Sequence, residues 1–159
     1  MRKTLPLLLC LGLVTWAGAA RASHYAVGDV PRLITPAQVD KLHKGKIDTT
    51  EQLLDKGAKS KDRKALAKAT GLKGPELLDL VRRADLLRIK GIGAEMVLLL
   101  EAAGVKSTAD LVTKEPAALT SAMESVNKSA KISEKPPTEP QLADWIAQAK
   151  KLPQVVESK

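Results

Sequence analysis

The chain has 159 residues and a formal net charge of +8, from 26 Lys and Arg against 18 Asp and Glu, with one Cys, two His, two Trp, one Tyr and no Phe. That length holds one domain or two very small ones. A single cysteine excludes a disulfide framework and a cysteine-built zinc site, and two histidines leave little for metal or acid–base chemistry.

The first element reads as an address. Arg2 and Lys3 form a positive leading region, and Leu5 to Ala20 is a charge-free run of sixteen residues. Ala20-Arg21-Ala22 then supplies the small residues that a signal peptidase needs. The run falls short of the roughly 20 residues that span a bilayer. Residues 1–22 are therefore expected to be a secretory signal peptide cleaved before Ser23, with export to a periplasmic or extracellular location; an uncleaved N-terminal membrane anchor is the alternative. Losing Arg2, Lys3 and Arg21 would take the charge from +8 to +5, and losing Cys10 would leave no cysteine in the mature chain. Residues 23–29 read as a flexible N-terminal segment, residues 30–153 as the domain and residues 154–159 as a C-terminal tail.

From Thr35 onward, caps and prolines punctuate aliphatic stripes. Thr35-Pro36-Ala37-Gln38 is a capping box with Pro at the first helical position, opening a helix to about Lys44. Thr49 to Gln52 is a second box, starting a helix that ends before Gly57. Ser60 is expected to cap a helix from Lys61 to Thr70, stopped by Gly71; Gly74-Pro75 opens another to about Arg88. Ala94 to Ala103 follows a glycine-bearing interruption, Ser107 caps a short turn through Leu111, and Pro116 opens a helix to about Asn127. Lys128 to Pro137 reads as a linker, and Thr138-x-x-Gln141 starts a final helix carrying Leu142, Trp145, Ile146 and Ala149. No stretch alternates with the period of a strand. The expected fold is all-α, seven or eight short helices. Ile47 to Leu54 and Val105 to Val112 share a cap-and-aliphatic pattern at an offset of 58, which points to duplicated pairs of short helices.

Lys90-Gly91-Ile92-Gly93 is the one motif with chemical content. Two glycines allow a tight turn, Ile92 can plug it between helices, and the amides near Gly93 and Ala94 would open the next helix as an anion site, flanked by Lys90 and Lys106. With Ala84 to Gly93, Leu99 to Val105 and Asp144 to Pro153, the chain resembles an uncharacterised tandem helix-hairpin-helix family, a domain of unknown function. The turn itself resembles the helix-hairpin-helix motif, whose Gly-apolar-Gly turn contacts nucleic-acid phosphates without reading sequence, while the family resemblance covers about residues 30–153 and implies a fold of paired hairpins. It implies no established activity. At the offset of 58, Leu33-Ile34-Thr35 stands where Gly91-Ile92-Gly93 stands, so the first unit is expected to be degenerate. Glu95 in the first helical turn would repel phosphate.

The strongest cluster of charge lies between Lys59 and Lys73, where Lys61, Lys64 and Lys68 share a helix face, expected to lie opposite Ala65, Leu66 and Ala69. Such a stripe either follows a phosphate backbone or is simply a solvated face. His24 and His43 have no ligands at metal spacing, and Trp145 reads as a core anchor. The mature chain offers no Cys, no Gly-x-Ser-x-Gly elbow and no phosphate-binding Gly-Lys-Ser/Thr loop. The expectation is a non-enzyme, with no catalytic or metal residues, no cofactor and no small-molecule substrate. Two functions remain: an exported interaction or scaffold module for a protein partner, or a weak, non-specific binder of duplex DNA through Lys90, Gly91, Gly93, Ala94 and Lys106, aided by Lys61, Lys64 and Lys68.

Overall fold

The computed structural model describes residues 24–158. Among them are eight helices: α1 (Pro36–Lys44), α2 (Thr50–Gly57), α3 (Ser60–Thr70), α4 (Gly74–Leu86), α5 (Ala94–Ala102), α6 (Thr108–Leu111), α7 (Pro116–Ala130) and α8 (Glu139–Lys151). The described residues contain no named strand, only an isolated antiparallel bridge between Ala26 and Thr49. The fold is an all-α bundle of short helices. No helix of the described residues is long and apolar enough to cross a membrane. Residues 1–22, which carry the expected signal peptide, lie outside the described residues.

Side-chain caps set most of the helix starts. Thr35 Oγ1 accepts from Gln38 N at 3.4 Å while Gln38 Oε1 accepts from Thr35 N at 2.9 Å, which satisfies two backbone donors reciprocally. Thr49 Oγ1 accepts from Gln52 N, and Gln52 Oε1 from Asp48 N. Ser107 and Asp110 repeat that arrangement at the head of α6, with Lys106 N donating to Asp110 Oδ2.

The correspondence is a duplication of the whole bundle. α1 and α5 begin 58 residues apart and end 58 residues apart, and α2 and α6 begin 58 apart. Both α1 and α5 exit through a left-handed residue, Lys46 (φ 57°) and Gly104 (φ 83°), followed by a fully buried Ile47 or Val105. The amide of each of these apolar residues donates back into its helix, to Leu42 O or Leu100 O. Packing repeats too: α1 lies on α3 as α5 lies on α7, α2 on α4 as α6 on α8, and α3 on α4 as α7 on α8. One continuous aliphatic core runs from Val27 to Ala149 and takes in Trp145.

The structure changes several boundaries. Residues 24–29 are tied down: Val27 is fully buried, Val27 N donates to Asp48 O, and Tyr25 pairs with Thr50 through both backbone groups. The N-cap of α3 is Lys59, with Ser60 inside the helix. α4 ends at Leu86, and its exit continues through turn hydrogen bonds at Arg88 and Ile89. α7 runs past Asn127 to Ala130, because the Asn127 side chain brackets the helix exit by bonding both backbone groups of Ser133. The expected linker thus begins only at Lys131, which takes a left-handed φ of 49°.

Candidate functional site

The turn between α4 and α5 presents Lys90 and Gly91 at the surface and buries Ile92 to 1% exposure between the helices. Gly91 has φ +94°, and a Cβ there would lie 3.0 Å from Trp145 Nε1. Gly93 differs from expectation: its φ is −103°, its ψ is −176°, and a Cβ on it would meet nothing within 4 Å. Only one of the two glycines is required by the backbone. The turn is also clamped from outside, since Gln148 on α8 accepts from Lys90 N at 2.9 Å and donates to Lys90 O at 3.2 Å. Ile92 N donates to Ile89 O. The amides of Gly93 and Ala94 open the first turn of α5, where helical N–H groups have no intrahelical acceptor.

Around this turn the arginines are spent on the protein itself. Arg83 grips Glu101 with two nitrogens, at 2.8 and 3.0 Å, and donates its third to Leu33 O at 2.6 Å. Arg32, at the offset position of Lys90, holds Glu95 at 2.6 Å and Ile132 O at 3.1 Å. Glu95 is therefore not a free charge repelling anions at the head of α5, because the first repeat supplies its counterion. Arg82 reaches Asp79 at 3.8 Å. Arg88 binds Asp85, whose other oxygen accepts from both the amide and the hydroxyl of Thr108 at 3.0 and 2.7 Å. Asp85 thus caps α6 from the end of α4. In the first repeat the equivalent turn is sealed, with Leu33 and Ile34 at 1% and 2% exposure.

Lys90 and Lys106 are exposed and make no ion pair among the described residues. No hydrogen bond joins them. Lys61, Lys64 and Lys68 are exposed on α3 of the first repeat, with no hydrogen bond or ion pair to the turn. Ala65 and Ala69 are exposed as well; the buried face of α3 is Arg63, Leu66 and Thr70. The stripe therefore covers a broader solvent-facing arc than expected, and Arg63 leaves the basic cluster altogether. Arg63 is 6% exposed and donates to Gly57 O, Ala58 O and Glu157 O at 2.6–2.8 Å. Burial pushes its guanidinium below the ordinary value, while the Glu157 carboxylate pulls it back up and Arg82 adds to the lowering. The Gln38 amide holds the Glu76 carboxyl below its ordinary value; partial burial opposes this, and the Lys73 amide, Lys41 and Lys73 reinforce it.

Residues 153–157 are the feature that sequence reasoning missed. The chain leaves α8 and runs back over both repeats. Arg88 donates to Pro153 O, the Gln154 amide lies 3.2 Å from the Thr108 hydroxyl, and Glu157 N donates to Ala58 O. Glu157 Oε2 accepts from Ser60 N at 2.7 Å, capping α3 where Lys59 provides no side-chain cap. Beside this strap lies a cleft of about 680 Å³ lined by α2, by His24 and by the strap itself.

Fold and site together define a duplicated all-helical bundle with one glycine turn open to solvent and a C-terminal strap that crosses both halves. The chain belongs to the family described as domain of unknown function (DUF4332), whose model matches residues 32–152. No curated protein and no solved structure matches the chain.

Proposed function

We propose that this protein is an exported, non-catalytic interaction or scaffold module of helix-hairpin-helix type, acting on a protein partner in a periplasmic or extracellular location. One observation carries the reading: all five arginines of the described residues, Arg32, Arg63, Arg82, Arg83 and Arg88, are engaged by the protein's own carboxylates and carbonyls. Guanidinium forks are the side chains best matched to phosphate, and here each already faces a carboxylate or carbonyl of the protein, including the exposed Arg32, which holds Glu95. Export rests on the leading basic residues, the charge-free run and Ala20-x-Ala22. Sequencing the N-terminus of the mature protein should read from Ser23; a product keeping Met1 to Ala22 would make it membrane-anchored instead.

A second reading, weak sequence-independent binding to a nucleic-acid backbone, draws on the exposed Lys90 and Lys106 beside the α5 amides and on the lysines of α3. Titration of labelled duplex DNA at two salt concentrations separates the two. On the first reading the folded protein does not bind duplex DNA even at low salt. On the second, it binds near the non-specific range of about 10⁻⁴–10⁻⁶ M, and Lys90→Ala weakens every sequence alike and lowers the slope of log affinity against log salt by about 0.9. Sub-nanomolar binding that discriminates between sequences would overturn the interaction-module reading.

A further inference from the structure

We propose that the cleft between α2 and the C-terminal strap is a peptide-docking site, filled in the isolated chain by its own residues 153–157, and that its partner ligand is an extended protein segment bearing two apolar residues followed by a carboxylate. This rests on the interaction-module reading and gives that reading a surface. The strap shows what the site selects. It leaves α8 through an extended Leu152 (φ −81°, ψ 139°), forms no helix or strand over residues 153–157, and packs Val155 and Val156 half-buried against the core. Glu157 is then read three times: its N–H by Ala58 O at 2.9 Å, its carbonyl by Arg63 at 2.6 Å and its carboxylate by Ser60 N at 2.7 Å.

Recognition through main-chain groups and one acid is the kind that any extended segment with the same pattern can satisfy. Part of the receiving framework has partners outside the strap. Arg63 is also held by Gly57 O and Ala58 O, so its guanidinium is positioned before a ligand arrives, and the Ser60 amide sits at the positive end of an eleven-residue helix. The strap also leaves the cleft incompletely filled. About 680 Å³ remains, with Leu54, Ala58 and Ala84 as apolar wall and Glu51, Asp55 and Lys59 among its polar lining. A segment with a bulkier side chain at the Val155 position would bury more apolar surface there than the strap does.

The strap competes because it is tethered, at the high effective concentration of an intramolecular ligand. The test uses the full chain with Glu157→Ala, which removes the strap's carboxylate anchor, and a fluorescent peptide of residues 153–158 added in trans. Anisotropy should show the variant binding this peptide about tenfold more tightly than the parent chain does. The same peptide with its glutamate replaced by alanine should fail to bind. Hydrogen exchange at the Ser60 amide should speed up in the variant and slow again on adding the peptide. If Glu157→Ala does not fold, Glu157→Gln carries the same measurements with less perturbation. A folded variant that ignores the peptide, or that binds the glutamate-free peptide equally well, would overturn the docking site. That failure is separable from failure of the functional reading, because tight, sequence-selective DNA binding would sink the latter whatever the peptide does.

Discussion

Asp85→Ala should be among the most destabilising single substitutions in the chain, lowering stability by roughly 3 kcal/mol. Asp85 is 1% exposed and serves three donors at once: the amide and hydroxyl of Thr108 and the guanidinium of Arg88. Removing the carboxylate leaves a largely buried cation without its counter-charge and leaves the Thr108 amide at the head of α6 without its acceptor, although Ser107 still caps Asp110. It also loosens Arg88, which holds Pro153 O at the root of the strap. The loss corresponds to a melting temperature about 10 °C lower for a domain of this size. Asp85→Asn should lose less, because an amide oxygen still accepts from Thr108. A double-mutant cycle with Thr108→Val should show clear coupling, about 1 kcal/mol or more. A variant that melts like the parent would mean that α4 does not cap α6.

Gly91→Val and Gly93→Val should behave differently although the residues are two apart. At Gly91 the φ of +94° strains any L-residue, and the new Cβ would press on Trp145 Nε1 at 3.0 Å. Trp145 is a buried member of the core, so the turn and α8 would have to separate. A cost of about 2–4 kcal/mol follows from backbone strain and overpacking together. At Gly93, the N-cap of α5, the backbone is extended and the Cβ position is open, so substitution should cost only the poorer capping of a β-branched residue, about 1 kcal/mol or less. Thermal melts of the two variants side by side decide it; equal effects would mean that the turn is built differently.

Local chemistry made much of this architecture legible. Thr35, Thr49, Ser107 and Thr138 announce helix starts by side-chain oxygens that act within three residues, and Pro36, Pro75 and Pro116 mark first turns. The offset of 58 between Ile47–Leu54 and Val105–Val112 foretold a duplication that extends to α1 and α5 in register. What escaped depends on distant partners. Arg63 stands in a run of lysines and looks like one more surface cation; only the carbonyl of Glu157, 94 residues away in sequence, and the exit of α2 make it a core residue. Glu95 read as a lone repulsive charge because its neutralising partner, Arg32, lies in the other repeat. Gly91 and Gly93 look alike in sequence, and the difference comes from the positive φ that only Gly91 takes and from Trp145 closing over it. The tail looked idle for the same reason, since nothing within it shows that Ser60 awaits its acid.

The strap also bears on the order in which the chain becomes folded. The first repeat leaves the ribosome early, yet the group that completes its α3 start lies 97 residues downstream of Ser60. Closing so wide a loop is entropically slow compared with forming helices locally. Until residue 157 has been made, Ser60 N lacks this acceptor and Arg63 lacks the carbonyl of Glu157, keeping those of Gly57 and Ala58. A chain cut after Leu152 would keep all eight helices of the described residues and lose the latch.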